Sequence, residues 1–160
     1  MTSRLGAFGV TAVLGATGVS ALMPMMCGPV SAPTVQEQVV TLTNQQRAAA
    51  GLAPLSVDVS LANAAQAHAN DQATYDTMSH SGSDGSNAGT RIQRTGYPLQ
   101  NWGENVAVDF ATAQQVVAAW MASPGHRANI LSGNFTQIGI GIAFSADGSP
   151  YWAMELASPW

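Results

Sequence analysis

The stretch Ile138-Gly139-Ile140-Gly141-Ile142-Ala143-Phe144 admits few structures. Its bulky residues recur at period two, the period of a strand. Ile138, Ile140, Ile142 and Phe144 form one apolar face, while Gly139, Gly141 and Ala143 leave the other face almost without side chains. Bare strand backbone lets a neighbouring element approach closely. Asp147-Gly148 is a turn signal, and Trp152, Met154 and Leu156 alternate after it, so the two runs read as an antiparallel hairpin.

Upstream the period changes. Val35, Val39 and Leu42 stand at helical spacing and predict a helix to about Ala50, stopped by Gly51. Pro54 keeps Ala53 out of the helical region, so Leu52–Leu55 is extended. Asp58 is a cap for a second helix whose one face carries Leu61, Ala65, His68, Gln72 and Tyr75, ending near Met78. Residues 79–89 are turn chemistry throughout, and Arg91–Arg94 reads as a single helical turn. Trp102, Glu104, Val106 and Val108 share one face of a strand. Thr112 and Gln115 make a capping-box pair for a third helix carrying Val116 and Trp120. Helices flanking a central antiparallel sheet give an α+β fold, a three-layer α-β-α sandwich.

Composition sets the class. The 160 residues are 46% hydrophobic and 9% charged, which suits one domain with a real core. The net charge is −4, and the five basic residues are all Arg and form no patch, which speaks against a nucleic-acid partner. Arg4, the uncharged run from Leu5 to Met26 and the small residues Val30-Ser31-Ala32 read as a secretory signal. The chain therefore divides into a signal peptide (1–32), a linker (33–40) and a domain (41–160), with membrane contact only through the signal segment. The alternative is an uncleaved anchor, because the run approaches the roughly 20 residues that span a bilayer. Cys27 is the only cysteine and precedes the expected cut, so no disulfide forms within the chain.

Trp120-Met-Ala-Ser-Pro-Gly-His126 ends the third helix abruptly. Ser123 stops it and can cap a short helix that follows, and Pro124 suits a first helical position because its missing N–H is not needed there. His126 then lies near the positive end of that helix, which disfavours the imidazolium. A neutral imidazole serves as metal ligand or general base; the plainer alternative is a residue that only satisfies a neighbouring backbone group. His68, on the packed face of the second helix, reads as a hydrogen-bonded core residue, and Tyr75 and Trp120 read as core. No Gly-x-Ser-x-Gly elbow is present, against a serine hydrolase.

Several motifs occur in order: Asn44-Gln45-Gln46-Arg47, Gly51-Leu52-Ala53-Pro54-Leu55, His68-Ala69, Ser79-His80-Ser81, Gly103-Glu104-Asn105, Ser123-Pro124-Gly125-His126-Arg127, Phe135-Thr136-Gln137-Ile138-Gly139 and Tyr151-Trp152. Together they resemble the CAP superfamily (cysteine-rich secretory proteins, antigen 5 and pathogenesis-related 1 proteins), in its bacterial, disulfide-free branch. The resemblance covers roughly residues 41 to 157. It implies the same α-β-α sandwich, secretion, and a central cleft that in many eukaryotic members holds two His and two Glu able to bind zinc. His80 matches the first His and Glu104 the first Glu. Ser123 stands where the second Glu would be and Asn134 where the second His would be. His126 can take the vacated place. His80, Glu104 and His126 are then the candidate catalytic and metal residues, a two-His, one-carboxylate set that would leave zinc an open position. The alternative for His80 is a solvated loop residue. For Glu104 it is a strand carboxylate that orders the cleft, and on an apolar face such a group needs a partner. Two functions follow as expectations. One is a secreted binding or effector module for an extracellular lipid, peptide or cell-wall component. The other is a metal-assisted hydrolase using Glu104 as base.

Overall fold

The computed structural model describes residues 32–160, so the expected signal segment and Cys27 lie outside the described residues. The chain enters α1 (Val35–Ala49) through a complete capping box, in which Thr34 accepts from the Glu37 N–H and Glu37 reaches back to the Thr34 N–H at 2.7 Å. Residues 35–40 are thus the first turns of a helix, not a linker as the sequence division has it. Gly51 adopts φ +74° just beyond the helix, a conformation that costs other residues dearly. A short β1 (Ser56–Val57) follows. Asp58 then caps α2 (Val59–Tyr75) by accepting from the Ser60 and Leu61 N–H groups.

Next come α3 (Ala88–Arg94), β2 (Leu99–Val108), α4 (Ala113–Ala122), α5 (Pro124–Ile130), β3 (Gln137–Phe144) and β4 (Pro150–Pro159). The turn expected at Arg91–Arg94 is a longer helix, because Asn87 caps it through the Thr90 N–H. Strand β2 begins three residues before the expected Trp102. Pro124 does open α5, but Ser123 makes no side-chain cap bond to it; the backbone N–H of Ser123 instead closes α4 on Ala119 and Trp120.

The sheet runs β1-β3-β4-β2. Strands β3, β4 and β2 are antiparallel as expected, whereas β1 joins β3 in parallel. Helix α2 lies on the bare side of β3. A Cβ on Gly139 would stand 2.1 Å from the Leu61 carbonyl carbon, and one on Gly141 would stand 2.3 Å from the Ala65 oxygen. The opposite face carries Ile138, Ile140, Trp152, Met154 and Leu156, packed with Val39 of α1, Val116 and Trp120 of α4 and Ile130 of α5. Each of these fully buried large side chains contributes about 1.5–3 kcal/mol relative to exposure. Both buried indoles have partners, Trp120 on the Val106 carbonyl and Trp152 on the Phe110 carbonyl. Tyr75, expected in the core, is not there: it is exposed at the end of α2, as is Phe144 at the end of β3. Among the described residues no helix is long and apolar enough to cross a membrane.

Candidate functional site

Strand β2 is an edge of the sheet, and Glu104 sits at its middle, opposite Glu155 of β4. Strand alternation aims both carboxyls at the α2–α3 layer, where they are buried. A buried carboxylate needs compensation. Glu104 receives it from two sides. Arg91 of α3 forms a buried ion pair with Oε2, and His80, in the loop after α2, places Nδ1 2.7 Å from Oε1. Because Oε1 accepts, the proton on His80 belongs at Nδ1 and Nε2 is left as a bare acceptor. The imidazole is 62% exposed, so that lone pair is accessible. Arg91 also donates to the backbone oxygens of His80 and Ser86. One guanidinium therefore neutralises Glu104 and holds the loop that carries His80.

His68 of α2 is wholly buried, as expected of a core histidine. Its Nε2 donates to the Ser79 oxygen at 2.8 Å and lies 3.6 Å from Glu104 Oε2. Burial, then the nearby Arg91, pulls its pKa below the usual imidazole value against the pull of Glu104, and His68 is neutral at pH 7. Glu155 is the opposite case. Neither of its oxygens has a donor among the described residues, and its nearest cation, Arg91, is 3.8 Å away. Burial first and the neighbouring Glu104 second raise its pKa well above the carboxylate range. Burial and the like charge of Glu104 thus favour the protonated form of Glu155.

His126 stands on α5 across the β2 edge. Its backbone oxygen accepts from Asn105, and its half-buried ring has no partner at Nδ1. Its pKa is lowered, by burial first and by the adjacent His80 second. Asn129, one turn further, spans the same edge by donating to the Glu104 oxygen and to Asn105 Oδ1. A cleft of about 310 Å³ opens here, between the His80 loop and α3 on one side and Asn129 on the other, with Trp102, Gly103 and Glu104 at its base. Behind Arg91 and His68 lies a second cleft, of about 360 Å³, between α2, α3 and residues 82–86.

Of the expected trio, Glu104 and His80 are joined directly, and His126 flanks His80 without bonding to Glu104 among the described contacts. As they stand these groups do not form a metal-ligand set. Both Glu104 oxygens are taken, one of them by a guanidinium, and His80 Nδ1 is committed to the other. Among the described residues no group of three or more His, Cys, Asp or Glu side chains is arranged to hold an ion. Arg91 and Glu155 escaped the sequence reading. The one available signal for Arg91 was the demand of Glu104 for a cation; nothing local marks Glu155, whose burial depends on which strand lies between β2 and β3.

A family model described as the cysteine-rich secretory protein family, CAP, matches residues 40–156. The chain belongs to the CAP family. It is 37% identical over 113 residues to the uncharacterized protein YkwD of Bacillus subtilis, covering 71% of this chain and 44% of that protein. A crystal structure of an extracellular protein containing an SCP domain from Bacillus anthracis superposes with a TM-score of 0.70 at 27% identity, over 79% of this chain and 45% of that one. An outer surface protein of Borrelia burgdorferi superposes with a TM-score of 0.73 over 80% of this chain and 97% of that one; at 19% identity it bears on the fold alone. This CAP chain spans less than half the length of YkwD.

Proposed function

We propose that this CAP domain is an extracellular binding module whose ligand seats in the cleft at the β2 edge, against His80. The observation that carries the reading is the engagement of Glu104. With Arg91 on one oxygen and the His80 N–H on the other, this carboxylate acts as an internal brace and is spent as base and as metal ligand. What it braces is an exposed imidazole beside a cleft of ligand size. Placement outside the cell rests on the leader-like first residues and on the extracellular SCP-domain relative.

Purified protein incubated with extracts of the host cell surface should retain a ligand, detected by mass spectrometry. His80→Ala should lose it while its circular dichroism spectrum stays native, with a lowered melting point because Glu104 Oε1 loses its donor. Zinc should not bind stoichiometrically. Equal retention by His80→Ala would refute the cleft as the binding place.

One observation favours a second reading. A carboxylate that holds Nδ1–H and leaves Nε2 bare is the orientation a general base requires. In a hydrolase, His80 would then take a proton from water, with Glu104 orienting it. Peptidase or ester turnover abolished by His80→Gln and retained in chelator-treated protein would establish this reading instead.

A further inference from the structure

We infer that the cleft beside His80 is a saccharide subsite with Trp102 as its stacking platform; this rests on the binding-module reading and names its ligand class. The four tryptophans divide sharply. Trp120 and Trp152 are core, Trp160 lies at the chain end, and Trp102 is 45% exposed at the base of a cleft. Its indole is braced from one side. A Cβ built on Gly89 of α3 would lie 2.6 Å from Nε1, 2.9 Å from Cε2 and 3.1 Å from Cδ1. Those nearly equal distances describe a point over the plane of the five-membered ring. A point beyond the N–H edge would leave both carbons far more distant than the nitrogen. The helix backbone therefore covers one face of the indole at a spacing that only glycine permits, so a ligand can stack on the other face alone.

The rim carries hydrogen-bonding groups with unspent capacity. His80 Nε2 is a bare acceptor, because Nδ1 is turned to Glu104. The Asn87 Oδ1 accepts from Thr90, and among the described contacts its Nδ2 donates to nothing. The Asn129 Nδ2 is used twice, on Glu104 and Asn105, while its Oδ1 accepts nothing among those contacts. The carboxylate at the base is neutralised by Arg91. An aromatic face is negative and attracts the electropositive C–H groups of a sugar ring. Neighbouring acceptors and donors without net charge suit its hydroxyls and amides. A cleft of about 310 Å³ is at the small end of ligand sites, and the rim groups named above would be left unpaired by an acyl chain. A neutral saccharide fits that chemistry better than a lipid does.

The test uses the full chain carrying Trp160→Phe, which leaves Trp102 as the one exposed indole. Titration with the β-1,4-linked tetramer of N-acetylglucosamine, and separately with cellotetraose, should give a saturable change in tryptophan fluorescence with at least one of them. Measured by calorimetry, Trp102→Ala should weaken binding at least tenfold, with Trp102→Phe retaining most of it. Gly89→Ala, which pushes the indole off its seat, should weaken it several-fold at unchanged fold by circular dichroism. No response to either oligosaccharide at millimolar concentration overturns the saccharide assignment. So does undiminished binding by Trp102→Ala, or His80-dependent capture of a lipid or of an extended peptide along β2 in place of sugar. That last pair of outcomes would leave the binding module standing. Failure of every ligand class would remove both.

Discussion

Glu155 is a buried acid with no cation of its own, and its effect on stability has a definite sign. An unfolded glutamic acid titrates near 4.3. In the folded protein burial and Glu104 raise its pKa, so the native state holds a proton that the unfolded state gives up. Its stabilising contribution is complete below about pH 4.3 and is lost as pH rises through the folded value. His68 and His126 act in the opposite direction. Their lowered values mean that stability is retained above about pH 6.5 and lost as pH falls below it. Glu155→Gln has nearly the same shape and cannot ionise. Urea denaturation should show it gaining stability over the parent as pH rises from 4 to 8.5, because only the parent's folded state must keep a proton that its unfolded chain releases. A parallel pH dependence in the two proteins would contradict this. None of it is legible along the chain, where Glu155 stands between Met154 and Leu156 as an ordinary strand polar residue. Glu104 was legible, because a lone carboxylate on an apolar strand face demands partners.

At the scale of elements, the tightest constraint is the contact of α2 with β3. Gly139 and Gly141 are required because backbone of α2, which cannot rotate aside, occupies the place of their Cβ atoms. Gly141→Ala should cost about 3 kcal/mol or more, at or beyond the upper end of overpacking costs, measured as a fall in urea midpoint. Gly133→Ala is the control. Nothing lies within 4 Å of its Cβ position, and it should change stability by less than about 0.5 kcal/mol. The alternation of Ile with Gly showed this contact in advance, and the caps at Asp58 and Thr112 were equally readable. Ser123 was not. Its backbone finishes α4 on Ala119 and Trp120, and no side-chain bond is left for α5. Capping chemistry announces a possible boundary, and the angle between two abutting helices decides whether the hydroxyl can reach.

For the whole molecule, Arg47 is the tie. It leaves α1 almost fully buried and donates to the carbonyls of Ala53, Ile130, Ser132 and Phe135, joining the first helix to the end of α5 and the approach to β3. No carboxylate faces it among these bonds, so its charge is dispersed over backbone dipoles. Arg47→Met fills similar space and leaves those carbonyls unpaired. It should cost about 3 kcal/mol or more by chemical denaturation, since each orphaned buried group costs about 1–3 kcal/mol. The cleft at the β2 edge should lose order with it, because Ile130 and Ser132 follow directly on Asn129. A loss below about 1 kcal/mol would show that water or neighbouring groups replace the guanidinium. The sequence by itself determined the layers, the hairpin and most helix limits, because periodicity and capping are local properties that any short window carries; His80 and Glu104 were put together only by the resemblance to the CAP family. Only the tertiary structure decided that Arg91 and Glu155 complete that acid's surroundings, that Trp102 rests on Gly89, and that His126 stands across the edge. Those contacts join residues that the chain keeps far apart, and their distances depend on strand order and on the close approach that two glycines permit.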